Sequence, residues 1–362
     1  MTLLTRYLLR NNLFLLFSIL LIGIGLYVLT DLFERLDNFI DASFGFLSIL
    51  MYYGIKIPFI AGQILPAVFL IAVIVQFGLM VKTRELVALQ AGGISPFAFL
   101  RFIIFYGLLW AALQLILAQV LGVEGERMAL RIWREEVKGD VIEETRMHGL
   151  WFIDGAYVVH LGIANPESGT GTDLLAYQLT KDDKFLRQMV RAESFSVVNK
   201  VWKLKNVVVI TPEAYGYQLM DEWTLPLTQD LSAFAAIEPG TKPSRLPIWG
   251  LRDAISSLER SGSNVEVLRT TYHSRFAYAA SLVVMGVLGL AIVLWRNNVY
   301  LAVGIGLLVT FIYYACTTLF VSLGEKGLLS PIIAGWLPCA VFFSVGMLGI
   351  LWHNRPGWRL FK

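Results

Sequence analysis

The chain of 362 residues has two cysteines, Cys316 and Cys339, both in apolar runs and neither in the charged middle of the sequence. A disulfide framework for that middle is excluded, and the count does not fix a redox compartment. The four histidines, His148, His160, His273 and His353, are scattered without metal-ligand spacing, which suits surface or interface positions better than a metal site. No Gly-x-x-x-x-Gly-Lys-Ser/Thr run occurs, and Gly169-Thr170-Gly171-Thr172 lacks the lysine that a phosphate-cradling loop requires. The chain does not split ATP by that route. No Ser-His or Cys-His constellation stands out for hydrolysis, so the sequence assigns no catalytic residue, cofactor or metal. A formal net charge of only +3 gives no footing for a general nucleic-acid binder. Finally, the apolar runs carry no Asp, Glu, Lys or Arg apart from Lys56 and Arg101 near their ends. A proton-coupled carrier relies on such groups as its relay, so secondary transport is disfavoured.

What is abundant is apolar surface: 56% of residues are hydrophobic, far more than in a soluble globular chain. They concentrate at the two ends. Leu13 to Thr30, Lys56 to Val81 and Phe97 to Val123 form three runs long enough to cross a bilayer, and Phe276 to Trp295, Val299 to Leu323 and Leu328 to Trp352 form three more. The first run is read as retained rather than as a signal peptide, because it is long, lacks a small-x-small cleavage site and is followed by further spans. Arg6, Arg10, Lys82, Arg84, Arg296, Arg355, Arg359 and Lys362 fall on one side of this six-span arrangement, while the opposite short loops hold Arg35 and Lys326. The positive-inside rule then puts both termini in the cytoplasm and the middle of the chain on the far side.

That middle changes period. Leu150 to Ile153 and Tyr157 to Leu161 flank the hairpin signal Asp154-Gly155, and further strand candidates are Leu174 to Thr180, Leu186 to Val198, Val201 to Thr211 and Tyr215 to Leu225. The fold class expected is therefore a membrane α-helical protein with an inserted all-β domain, most simply a sandwich or jelly roll. Residues 1–138 would form the first transmembrane half, 139–246 the β domain, and 247–362 a short helix followed by the second transmembrane half.

Two stretches carry candidate function. Lys82 to Pro96 is a polar-headed segment between two spans; read as a helix over about 82–95, it lines up Leu86 with Leu89 and Val87 with Ala91 beside Lys82, Arg84 and Glu85, and Gly92-Gly93 then stops it. The plainer alternative is an ordinary loop. Arg127, Arg131 and Arg134, spaced i, i+4, i+7 beyond the third span, would share a helix face suited to phosphate or carboxylate. Their plainer alternative is pairing with Glu124, Glu126, Glu135 and Glu136, or exposure to solvent.

Arg6-Tyr7 before the first span, Thr83 to Gly93, Glu124-Gly125-Glu126-Arg127-Met128-Ala129, Gly149-Leu150-Trp151 and Val201-Trp202-Lys203-Leu204 follow one another in an order and spacing that resemble the LptF/LptG permease family over nearly the whole chain. The Gly-Leu-Trp and Val-Trp-x-Leu pieces resemble its LptG branch more than its LptF branch. The resemblance implies a subunit of the ABC transporter that extracts lipopolysaccharide from the inner membrane. It makes the cytoplasmic segment a coupling helix, with Arg84, Glu85, Leu86 and Leu89 meeting an LptB-like ATPase dimer that uses the ATP and Mg. It also implies an LptF-like second permease facing spans one and five across a lipid cavity, and a periplasmic jelly roll that passes lipid to LptC- and LptA-like proteins. Relatives hold lipid phosphates with basic residues near the outer end of span one; here that region reads Asp31, Glu34, Arg35 and Asp37. Arg35 is its lone cation, and the phosphate role shifts toward Arg127, Arg131 and Arg134. A membrane-anchored scaffold or sensor, whose β domain binds a protein, is the alternative from another class.

Overall fold

A computed structural model describes residues 3–138, 147–165, 168–180, 185–198, 201–212, 216–227, 231, 246–260, 265–296 and 298–353. Contacts divide the chain into two compact units, Met1–Lys138 with Thr270–Lys362, and Gly139–Arg269.

The first unit is helical. Helices α1 (Leu3–Asp41), α2 (Phe46–Lys82), the seven-residue α3 (Glu85–Ala91) and α4 (Pro96–Ile116) follow in order. The last continues through a π turn at Leu117–Gly122 into α5 (Val123–Ile132) and a second π turn at Trp133–Val137. Among the described residues, six helices are long and apolar enough to cross a membrane: α1, α2, the continuous Pro96–Val137 helix, and α7 (Glu266–Trp295), α8 (Val299–Glu325) and α9 (Pro331–His353) near the C-terminus. Five of the apolar runs expected from sequence sit inside one of them; the sixth, Leu328 to Trp352, begins three residues before its helix, which starts at Pro331. Charge-bearing turns lengthen several beyond the hydrocarbon layer: α1 has 39 residues, or about 58 Å of helix against the roughly 30 Å apolar thickness of a bilayer.

Helices α2 and α7 make the centre of this unit. Phe69, Leu70, Ala72, Ile74 and Phe77 of α2, and Leu282, Met285 and Val287 of α7, have almost no exposure. Close approach depends on missing side chains, as is usual where helices meet in lipid. A Cβ on Gly286 of α7 would come within 2.6 Å of Ile103 and 2.8 Å of Phe69, and one on Gly306 of α8 within 2.5 Å of Ile74. The outer helices are bare by contrast: 6% of the most apolar stretch of α1 and 22% of that of α8 are buried.

The second unit holds strands β1 (Met147–Asp154), β2 (Tyr157–Asn165), β3 (Thr170–Leu179), β4 (Leu186–Val198), β5 (Val201–Thr211) and β6 (Gly216–Leu225), followed by α6 (Ile248–Arg260). The six strands form one antiparallel sheet in sequential order, an up-and-down meander. The first hairpin turns one residue later than its Asp-Gly signal implies, since Asp154 pairs with Tyr157 and Gly155, at φ 60°, begins the turn. Gly169-Thr170-Gly171-Thr172 is no loop: all but its first residue belongs to β3. Helix α6 groups with the sheet rather than with the C-terminal spans that follow it in sequence.

This single sheet builds its own core by curling. The rings of Phe152 in β1 and Trp202 in β5 lie 5.8 Å apart, although four strand spacings of a flat sheet would separate them by about 19 Å. Trp202 is fully buried and stacks on Phe195 at 5.5 Å. A crease crosses the sheet. Pairing lapses in every strand pair along the row Gly149, Gly162, Asp173, Glu193, Asn206 and Asp221. Gly149, Asp173 and Asn206 in this row have left-handed backbone, with φ of 66°, 56° and 53°. Across the row the buried positions step by three instead of two, from Leu161 to Ala164, Ala192 to Phe195 and Leu204 to Val207. The left-handed residues fall on alternate strands, β1, β3 and β5, and along the row the pleat is reset, as at a bulge.

Candidate functional site

Between α2 and α4, Lys82 to Pro96 resolves the choice between helix and loop: it holds a short helix, α3, over Glu85–Ala91 instead of the expected 82–95, framed by two left-handed residues. Arg84, at φ 61°, precedes α3, and Gly93, at φ 88°, follows it. Gly93 donates its N–H to the Gln90 carbonyl and Ile94 to that of Leu89, closing the helix, and Ser95 then caps α4 by accepting from the Phe97 N–H. The four residues expected to couple to an ATPase separate into two pairs. Leu86 is buried and Leu89 is half-buried against the helical core, so both fasten the segment to the membrane unit. Arg84 and Glu85 are exposed, together with Val87. Glu85 is nonetheless engaged at both oxygens: Oε2 accepts from the Tyr7 hydroxyl at 2.9 Å and Oε1 from that of Thr83 at 2.9 Å.

At the opposite end of α1, Arg35 belongs to a cluster centred on Asp31. The Asp31 carboxylate accepts from Lys56 Nζ at 2.9 Å and the Tyr53 hydroxyl at 3.0 Å, and forms an ion pair with Arg35 Nε at 3.2 Å. Arg35 also lies over Trp133, its Cζ 4.2 Å from the ring centre, and Lys56 Nζ lies within 6 Å of the ring centres of Tyr27, Tyr52 and Tyr53. Such ring faces favour a cation taken out of water. With two cations against one carboxylate, these three groups retain one positive charge. Lys56 is visible in the sequence as a charge near the end of the second span; its partnership with Asp31 is not, because the two are 25 residues apart. The other half of the cluster does have a local signal, since Asp31 and Arg35 stand at i, i+4 on one helix, a spacing that brings opposite charges together.

Arg127, Arg131 and Arg134 do not gather into a pocket. Arg127 pairs with Glu124 at 3.7 Å and Arg131 with Glu135 at 3.9 Å, the plainer alternative for those two. Their expected common face assumes regular α-helix, whereas Arg134 falls in the π turn, where each residue advances less around the axis. The cation that the other π turn engages is one that no motif in the sequence singles out: Arg275 of α7 donates through Nη1 to Gln119 at 2.5 Å. Its only signal is its place, one residue ahead of the fourth apolar run.

A family described as "Lipopolysaccharide export system permease LptF/LptG" matches residues 6–353. The chain belongs to this family. It is 22% identical to a protein named lipopolysaccharide export system permease protein LptG from Haemophilus influenzae, over 97% of this chain and 99% of that one. As an LptF/LptG permease with six long apolar helices, it is a multi-pass membrane protein and a transport subunit of a lipopolysaccharide export system.

Proposed function

We propose that this chain is the permease subunit through which an ABC transporter lifts lipopolysaccharide out of the bacterial inner membrane. The observation that carries the reading is the bare apolar face of α1 and α8. Leu21, Ile22 and Leu26 of α1 and Leu307, Leu308 and Phe311 of α8 are more than half exposed. Both helices pack on α2. Bare faces of this kind suit acyl chains on one side and an LptF-like second permease opposite. Arg35 and Lys56, with their surplus positive charge, stand at the outer end of α1, where a phosphorylated headgroup would arrive. Arg127 and Arg131, already beside carboxylates, are weaker phosphate ligands.

The work comes from elsewhere. An LptB-like ATPase dimer docks on the exposed face of α3 around Arg84 and Glu85, and its ATP cycle moves this segment relative to the membrane helices. The cavity between the two permeases narrows, and the lipid passes outward to the β unit and on to LptC- and LptA-like proteins. Both termini are cytoplasmic and the β unit periplasmic, in keeping with the side on which Arg6, Arg10, Lys82, Arg84 and Arg296 collect. The chain itself uses no cofactor; ATP and Mg belong to the ATPase. Coupling of this kind needs contacts that differ between two states.

The test is purification of the tagged chain from its native membrane in mild detergent, with assays for ATP hydrolysis and bound lipid. Recovery of an ATPase, a second six-span permease and lipopolysaccharide is the expected result; recovery of the chain alone, with neither activity nor lipid, favours a membrane-anchored scaffold. Glu85→Lys should abolish lipid extraction while leaving membrane insertion intact, and normal extraction by that variant would count against docking at α3.

A further inference from the structure

We propose that Tyr7 is a positioning residue that joins the coupling segment to α1, so that displacement of α3 is passed along α1 to its bare apolar face; this rests on the permease reading above. Tyr7 lies in the second turn of α1, and its hydroxyl donates to Glu85 across 78 residues of sequence. The other hydrogen bond to this carboxylate comes from Thr83, only two residues away, so the Tyr7 bond is the one that reaches a distant helix.

The join sits where motion can be transmitted. Just above Tyr7, α1 is stitched to α2 by a buried amide pair: Asn12 Nδ2 donates to Gln76 Oε1 at 2.7 Å, and Gln76 Nε2 donates to the Leu8 carbonyl at 2.8 Å. Leu8, Asn12 and Leu16 are almost completely buried there. Asn12 Oδ1 is buried without a partner, but in an apolar surrounding the two bonds still favour one geometry, because breaking them strands further polar groups. Beyond Leu16 the helix is largely bare until Asp31, where Lys56, Tyr53 and Arg35 fix it again. Helix α1 thus has polar ties near its two ends; between them one side packs on the bundle through Ile19, Leu20 and Gly23, which faces Ile64 of α2, and the other side stays bare.

Glu85 occupies both of its oxygens within the chain, one on Thr83 at the hinge that leads into α3 and one on Tyr7. A partner group that draws on this carboxylate therefore competes with Tyr7 or pulls Tyr7 along. The bond is exposed and contributes little to folding, so its effect belongs to position. Removing the hydroxyl leaves the ring and its packing in place.

The experiment uses the full complex with its ATPase and second permease, comparing wild type, Tyr7→Phe, Glu85→Gln and the double variant. The readout is lipopolysaccharide extracted per ATP hydrolysed, with thermal stability and ATPase stoichiometry measured alongside. Tyr7→Phe should leave stability and ATPase recovery as in wild type and lower the extraction ratio by about three- to ten-fold, the range that one hydrogen bond supplies. In the Glu85→Gln background, Tyr7→Phe should add much less than it does alone. An unchanged ratio in Tyr7→Phe, a fall in ATPase recovery that accounts for the loss, or full additivity with Glu85→Gln would overturn the proposal. Defective Glu85→Lys beside normal Tyr7→Phe leaves the permease reading standing without this role for Tyr7, whereas normal behaviour of both removes the two together.

Discussion

Helices α1 and α7 are both strongly apolar and long enough to cross a bilayer, yet 6% of the most apolar stretch of α1 is buried within the chain against 78% of that of α7. Hydropathy says that a segment prefers lipid to water. It does not say whether lipid, a partner or the rest of the same chain will cover it. That distinction lies in small residues and polar stitches. Helix α7 brings Gly286 and Gly289 against Phe69, Ile103 and Val73, whereas a Cβ on Gly25 of α1 would meet nothing within 4 Å. Helix α1 does set Gly23 against Ile64 of α2, but its hydrogen bonds to α2 are made by polar side chains, at Asn12 and at Asp31.

The contrast breaks most visibly at the glycines. Gly286→Val should destabilise the detergent-solubilised protein by about 3 kcal/mol, because Ile103 and Phe69 must move to admit the new methyl groups. Gly25→Val should leave the melting temperature of the chain alone unaltered, so an equal loss in both variants would erase the distinction between the two helices. At the Asp31 tether the effect should be of similar kind but smaller: Asp31→Asn strands Lys56 beside the tyrosines, costing roughly 2–3 kcal/mol, and adding Lys56→Met should recover much of it. Thermal unfolding of the single and double variants measures this directly. The smallest change is expected at Arg131→Ala, within about 0.5 kcal/mol, since its ion pair with Glu135 is long and its side chain lies mostly in solvent.

The same physics decides how much can be read from the sequence. All six spans are legible from charge-free length, and the strands from alternation and turn residues. Side-chain direction is less so. Leu86 and Leu89 look, as sequence, like a face offered to a partner, yet they are the part of α3 turned inward, because a seven-residue helix needs an anchor of its own. The Asp31 cluster is hard to see because its members come from α1, α2 and the π turn at Trp133, and no local spacing connects the three elements. The sheet's crease is equally hidden. Asp173 and Asn206 belong to residue types that tolerate left-handed backbone, but nothing in a single strand announces that alternate strands will place such residues in one row.

The sequential order of the sheet has a bearing on how the chain is made. Each strand pairs with the one synthesised just before it, so every ladder closes a short hairpin and no early strand waits for a late one. Topologies built from such near-neighbour contacts fold quickly, because little loop entropy is lost before each new contact forms. The ring contact between Phe152 and Trp202 is the long-range exception, and both residues precede α7 by more than sixty positions. The β unit can therefore complete its curl on the growing chain while the last three membrane helices have yet to emerge, which spares its apolar strands a wait beside unpaired edges.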